Sequence, residues 1–269
     1  MIRLGLCSGA CITRDAAGVI AVALAAKLDA IEWAADVHIG MGDIRAAEEI
    51  MMATLTAGLT TASYATLYRA GSEEGDLPRF EALLRIASIL QAPIMRLYAW
   101  GNSARPELER QDGGAAFASL ISQFRKLGDR AAGRGITLCL SMGRGDCLER
   151  YARAARLAEA IGHDFVRLAW EDLPGAPSAD ATAALEKAGR LAALVIARSA
   201  ARDGRPLAVV GSDWRDRIRA FKRAEIDPKM SSFVLFGAAR PEGEEGGLSL
   251  ARDAEALRAL IAEVEPKGR

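Results

Sequence analysis

Histidine is scarce in this chain of 269 residues, with only His38 and His163 present. A metal centre built from several imidazoles is thereby excluded, and proton transfer near neutral pH has few candidates. Cysteine is also sparse. Cys7, Cys11, Cys139 and Cys147 fall in two loose pairs. They lack both the two-residue gaps of zinc ribbons and the density of a disulfide framework, so reduced thiols are expected. Net charge is absent, because 35 Lys and Arg balance 35 Asp and Glu. Such a chain has no overall field to draw in nucleic acid or an anionic membrane, and neither is an expected partner. No apolar run reaches the roughly 18 residues that a membrane helix needs. Met1-Ile2-Arg3-Leu4 enters an apolar strand without a basic leader or cleavage site, so a cytoplasmic location is expected. A Gly-x-Ser-x-Gly elbow, a Walker loop and a dinucleotide fingerprint are missing too, which removes support for hydrolase, nucleoside triphosphatase and Rossmann readings.

What is present is an alternation. Half of the residues, 51%, are hydrophobic. They are arranged as short apolar runs separated by longer stretches at helical spacing, the pattern of parallel strands joined by crossover helices. Strands are expected to begin near Arg3, Ala30, Thr60, Ile94, Ile136, Phe165, Leu191 and Ser232. Each unit then takes the roughly 30 residues of a βαβ motif. The total suits one (β/α)8 TIM barrel as a single domain over residues 1–269, since such barrels need about 250 residues. Helix ends support this division. Asp43 can cap a helix with the stripe Ile44, Ala47, Met51 and Leu55, closed by Gly58. Pro78 fits a first turn, while Gly135 and Gly162 stop the fourth and fifth helices. The inner faces expected for the last two helices are Trp214, Ile218 and Phe221, then Leu250, Ala254, Leu257 and Ile261. Residues 181–201 are ambiguous because the run is rich in alanine. The strand Leu191–Ile196 is preferred over one long helix because a barrel needs it to close. The stretches 71–76, 102–114 and 241–247 read as loops after strands, two of them long enough to be lids.

Barrel enzymes assemble their sites at the C-terminal ends of strands. The residues expected there are Glu32, Trp33, Asp36 and His38 after strand two, and Tyr64 and Tyr68 on strand three. Arg96, Tyr98, Trp100 and Asn102 come from strand four, and Trp170, Glu171 and Asp172 from strand six. The tryptophans and Tyr64 can stack on the apolar faces of a sugar ring, or they can plug the barrel mouth. Arg96 within a strand needs partners for a buried guanidinium. An ion pair with Glu32 and a substrate contact are both open. His38 lies on the active face, whereas His163 follows a helix-capping glycine at the opposite end and reads as structural. Gly143-Arg144-Gly145-Asp146 can cradle an anion or form a plain turn.

The run from Ile31 to Asp43, Ile31-Glu32-Trp33-Ala34-Ala35-Asp36-Val37-His38-Ile39-Gly40-Met41-Gly42-Asp43, resembles the strand-two signature of the xylose isomerase-like TIM barrels. Within that superfamily the likeness is to the sugar phosphate isomerase/epimerase branch. Further matches keep their order: Ala57-Gly58-Leu59 leading to Ser63-Tyr64, Arg96 to Gly101, Ala132 to Leu140, Trp170-Glu171, and Gly211 to Trp214. The resemblance implies a divalent metal held by acidic and histidine ligands from strands five to eight. It also reaches a group of abasic-site endonucleases. The implied ligands are missing here. Ser141 stands where the strand-five glutamate is expected, Gly143 where a histidine follows it, and Phe236 where the strand-eight glutamate is expected. Strand seven has no histidine, which leaves Glu171 or Asp172 as the acidic ligand.

The resulting expectation is a sugar, sugar phosphate or sugar acid isomerase/epimerase-like barrel with no cofactor, weak divalent-ion binding being left open. His38, Glu32 and Glu171 are its candidate catalytic residues. Trp33, Tyr64, Arg96, Trp100, Ser141 and Trp170 are its candidate contacts to a small sugar-like ligand. A homo-oligomer is compatible with this reading. The competing expectation is a pseudoenzyme, a non-catalytic barrel that binds a metabolite or a partner protein. A DNA-repair endonuclease is the weakest alternative, since it would need a metal cluster and a basic face.

Overall fold

The computed structural model describes residues 1–70, 77–98, 114–141, 151–172, 178–197, 211–223, 232–237 and 244–264. Its strands are β1 (Ile2–Cys7), β2 (Ala30–Ala34), β3 (Thr60–Arg69) and β4 (Ile94–Tyr98), followed by β5 (Thr137–Ser141), β6 (Val166–Glu171), β7 (Ala192–Ala197) and β8 (Ser232–Phe236). All pair in parallel and in chain order, and β8 returns to β1, so the sheet is one closed barrel. The crossover helices are α1 (Ala16–Ala25), α2 (Ile44–Thr56), α3 (Leu77–Ile89) and α4 (Gly114–Ala132), then α5 (Tyr151–Ile161), α6 (Ser178–Ala188), α7 (Gly211–Arg223) and α8 (Glu244–Val264). A one-turn helix, Ala35–His38, sits directly on the end of β2. The structure is therefore the (β/α)8 barrel that the alternation implies. Among the described residues, no helix is long and apolar enough to cross a membrane.

Local chemistry explains the element ends. The Asp15 and Asp43 side chains accept hydrogen bonds from the Gly18 and Ala46 amides, satisfying orphan donors at the starts of α1 and α2. Gly58 and Gly162 adopt φ of +75° and +58°, the left-handed conformation that ends a helix at little cost without a Cβ. The alanine-rich stretch also resolves as preferred. Helix α6 stops at Ala188, the 3-10 turn Gly189–Leu191 intervenes, and Ala192–Ala197 forms β7 between β6 and β8. One stripe differs from expectation. Helix α2 buries Ala47, Ile50 and Thr54, while Leu55 is 43% exposed. The Thr54 hydroxyl donates to the Ile50 carbonyl and so carries its polar atom into the core satisfied.

Alternation along the strands divides the core in two. One cluster holds strand residues only: Cys7, Ala30, Ala62, Ile94, Cys139, Ala169, Leu194, Ile196, Phe233 and Leu235. This is the barrel interior, filled by side chains as the fold requires. The larger cluster joins the other strand face to the helices and includes Leu6, Ile31, Trp33, Tyr64, Leu140, Trp170, Val234 and Phe236. Neighbouring strand residues point to opposite faces, so Glu32 and Glu171 share a side with Ala30 and Ala169, whereas Trp33 and Trp170 do not.

Candidate functional site

Five polar side chains meet inside the barrel near the C-terminal ends of its strands: Glu32, Ser63, Arg96, Ser141 and Glu171, each buried. Strand β2 presents Glu32, and β4 presents Arg96 one strand beyond β3. A register shift between Ile31 and Glu32 places Ser63, rather than Ala62, opposite Glu32. Such an irregularity re-aims a side chain without breaking the ladder. The Ser63 hydroxyl donates to Glu32 Oε2 at 2.6 Å. Arg96 donates through Nε to the same oxygen at 3.0 Å and through Nη2 to Oε1 at 2.9 Å. That bidentate fork is the strongest form a guanidinium–carboxylate pair takes. On its other side, Arg96 Nη1 donates to Ser141 Oγ at 3.0 Å and lies 3.5 Å from Glu171 Oε1. The Ser141 hydroxyl donates to Glu171 in turn.

The electrostatics follow from this geometry. Burial works to raise the Glu32 pKa, but the Arg96 charge and the hydrogen bonds from Arg96 and Ser63 outweigh it and hold the carboxyl below its ordinary value. Burial also opposes the charge on Arg96, yet Glu32 and then Glu171 raise its pKa well above normal, so the guanidinium is permanently charged. Two carboxyl groups thus share one fixed cation.

His38 stands apart from this cluster. Its Nε2 lies 3.1 Å from the Arg14 carbonyl, which can only accept, so Nε2 carries the proton of the neutral ring. Nδ1 is buried without a hydrogen-bond partner. Burial lowers the His38 pKa, only partly offset by the Arg14 carbonyl and Asp15. The ring packs edge-on against Trp33, with centroids 5.5 Å apart. The expected pairing of His38 with Glu32 or Glu171 is therefore not made, because the ring is held by the loop after β1.

The aromatic residues expected around a cavity are placed differently. Trp33, Tyr64 and Trp170 are almost wholly buried in the layer between sheet and helices. They occupy the strand face opposite the polar cluster, the consequence of strict alternation after Glu32, Ser63 and before Glu171. Trp33 Nε1 and the Tyr64 hydroxyl have no hydrogen-bond partner there, and burial, with Asp36, pushes the Tyr64 hydroxyl pKa up. Arg217 of α7 lies 5.8 Å from the Trp170 ring centroid and 5.0 Å from that of Trp214, and pairs with Asp172 at 3.4 Å. This buried group ties the end of β6 to α7. His163 is likewise tied down at the other end of the barrel, accepting from the Phe165 amide and lying 3.2 Å from Asp129. Trp100, Asn102, residues 143–146 and the stretches 71–76, 102–113 and 241–243 lie outside the described residues, whereas residues 244–247, expected as loop, form the first turn of α8.

The donor set does not fit a divalent ion. Among the described residues no three His, Cys, Asp or Glu side chains are grouped to hold a metal. Glu32 and Glu171 both converge on Arg96. The position assigned to Phe236 also needs correction. Phe236 packs with the helices, and the strand-eight residues on the interior face are Phe233 and Leu235, Leu235 being the nearer to the C-terminal end. The apolar character of that position is unchanged. Ser63 and Arg217 are buried polar residues tied to the strand ends that residue type alone does not single out. The first depends on a shift in strand register and the second on how α7 docks.

A (β/α)8 barrel with charged groups inside the C-terminal ends of its strands is the class that fold and site define. No family model matches the chain, and no curated protein sequence matches it. Solved structures do. The IolI protein, solved with a zinc atom, is 10% identical and superposes with a TM-score of 0.72 over 98% of this chain and 99% of its own. An L-ribulose 3-epimerase is 15% identical, with a TM-score of 0.68 over 98% and 94%. A xylose isomerase-like TIM barrel protein from Mycobacterium smegmatis, in complex with magnesium, is 19% identical, with a TM-score of 0.62 over 93% and 89%. At these identities the likeness is one of fold alone, the closed (β/α)8 barrel.

Proposed function

We propose that this chain is a sugar isomerase/epimerase-like barrel, a single cytoplasmic domain that binds a small polyol, sugar phosphate or sugar acid at the C-terminal face, without a tightly held metal. The observation that carries this reading is the buried Glu32–Arg96–Ser141–Glu171 cluster. It lies at the level where barrels of this kind place their chemistry. It offers hydroxyl, carboxylate and guanidinium groups suited to the hydroxyls and carbonyl of a polyol. Structural neighbours that are epimerases of small sugars agree with that ligand class.

In this proposal Arg96 and Ser141 orient the ligand, and Trp33, Tyr64 and Trp170 back the wall that holds these groups rather than stacking on the sugar. Trp100 is kept as a contact from the segment after β4. Glu171 is the proton acceptor beside the ligand carbonyl, because Glu32 is committed to the Arg96 fork. His38, held after β2 by the Arg14 carbonyl and outside the carboxylate cluster, is the second proton-handling group only through the ligand itself and not through Glu32 or Glu171. A thermal-shift screen of sugars, sugar phosphates and sugar acids, followed by proton NMR in deuterium oxide, tests this. The expected result is stabilisation by one ligand, with deuterium entering the carbon next to its carbonyl, and loss of that exchange in His38→Ala and Glu171→Gln. Unchanged exchange in His38→Ala removes that residue from the mechanism, and the absence of any stabilising sugar overturns the reading.

A second reading has an observation in its favour. Arg96 forks onto Glu32 and also faces Glu171, so both candidate bases are held by one cation. A barrel so neutralised would bind a metabolite without converting it. Stabilisation by a sugar with no deuterium incorporation and no epimer formed would select this pseudoenzyme reading.

A further inference from the structure

The site poses a chemical question: two buried carboxyl groups and two buried hydroxyls surround a position that a small ion could fill, yet a side chain fills it. Glu32 contributes both oxygens at 2.9 and 3.0 Å, Ser141 one at 3.0 Å and Glu171 one at 3.5 Å, all measured to Arg96 nitrogens. Ser63 completes the set through Glu32. These are hard oxygen donors, the kind that hold divalent cations, but a metal would need them at about 2.0–2.6 Å and converging on one point. The guanidinium stands between Glu32 and Glu171 and prevents that convergence. Neighbours of the same fold were solved with zinc and with magnesium.

We infer that Arg96 is this barrel's built-in cation: a guanidinium fixed in the chain takes the electrostatic place of a divalent ion, positioning Glu32 and Glu171 and supplying positive charge to the strand ends. This deepens the reading above, on whose site it rests, while its test reads divalent-ion binding and not sugar turnover. A failed sugar screen and a failed cation exchange are therefore separate outcomes. The inference explains three features together. Arg96 is held between two buried carboxyl groups, so its charge is fixed in place before any ligand arrives. Ser141 serves as a bridge, accepting from Arg96 and donating to Glu171, so that a neutral residue at that position adds no third negative charge around a single cation. The interior positions on β8 are Phe233 and Leu235, which need no cation at all.

The consequence is that removing the guanidinium should open a site for a free ion. Arg96→Ala leaves the oxygen atoms of Glu32, Glu171, Ser141 and Ser63 around the vacated space, where an ion with its own water can bridge the carboxylates. Arg96→Gln removes the charge but keeps most of the volume, so that it serves if the alanine variant folds poorly. Melting temperatures of wild type, both variants and Arg96→Lys, each in EDTA and in millimolar manganese(II) or zinc(II), decide the matter. The expected pattern is a shift of less than about 1 °C for wild type and Arg96→Lys. A rise of about 3 °C or more is expected for at least one neutral variant, abolished by adding Glu32→Gln. Stoichiometric metal in purified wild type, or a comparable rise in wild type, overturns the inference. So does the failure of both neutral variants, whether they are folded and indifferent to the ion or remain unfolded in its presence.

Discussion

Glu32 and Arg96 are each nearly inaccessible, so neither can recover solvation when its partner is lost. Taking one charge away strands the other, which typically costs about 3–5 kcal/mol, whereas replacing both with apolar groups costs far less. Glu32→Gln is therefore expected to lower the midpoint of urea unfolding strongly. The double variant Glu32→Leu with Arg96→Met should lose less than the sum of its single changes, by a coupling energy measurable in a double-mutant cycle. Protonation supplies a second check on the same pair. The native Glu32 pKa lies below its ordinary value of 4.5, so the unfolded chain binds the proton more readily. Its contribution is fully present above pH 4.5 and is lost as pH falls through the lower native pKa. Urea midpoints followed downward from pH 6 should drop steeply in wild type, and Glu32→Gln should start lower but fall less in that window. An equal slope in the variant would show that other carboxyl groups set the acid limb. His38 acts at higher pH with the same sign. Burial depresses its pKa below 6.5, so its contribution is present above that value and lost as pH falls through the native pKa.

At the scale of elements, close approach decides what the barrel tolerates. Gly5 on β1 sits where the barrel closes, and an added Cβ there would meet Leu235 Cδ2 at 2.6 Å and the Ala30 carbonyl oxygen at 2.8 Å. The leucine can shift but the backbone oxygen cannot. Gly5→Ala is expected to destabilise by about 1–3 kcal/mol, read from chemical unfolding, because an overpacked interior must move a strand. Much of the architecture was legible in the sequence for a related reason. Parallel strands buried on both faces read as short apolar runs, and capping residues such as Asp43 and Gly58 mark where the intervening helices begin and end. Even β7, hidden in alanine, was recoverable from the need to close the sheet. The interior of the site was legible only in part. Adjacent letters such as Glu32-Trp33 and Trp170-Glu171 look like one rim, but a strand sends them to opposite faces. Alternation alone could have separated the carboxylates from the rings. The Ser63 contact could not have been read this way, because it depends on a skipped residue in the β2–β3 register. His38 was misjoined to the carboxylates for a similar reason: its partner, the Arg14 carbonyl, is a backbone atom in the preceding loop.

For the whole molecule, closure matters more than any single strand. Every strand of the barrel has two neighbours, so no edge is left to fray, and the sheet depends on the helices that cover its outer face. Helix α8 is the last of these. It buries Leu250, Ala254, Leu257, Leu260 and Ile261, and packs against α7, α1 and β1. Arg215 of α7 also bonds Glu263 at 2.8 Å, but both side chains are substantially exposed and the pair contributes little. The apolar face decides the outcome. Exposing each of its large side chains costs about 1.5–3 kcal/mol, so that the four together approach the roughly 5–15 kcal/mol by which a whole domain is stable. Removal of residues 244–269 would also uncover the outer side of β1, where the sheet closes on β8. Such a shortened chain is expected to lose its cooperative thermal transition entirely, not to melt at a moderately lower temperature. Calorimetry distinguishes the two: a sharp endotherm in the truncated chain would mean that the barrel closes without α8 and that its stability is more local than this packing implies.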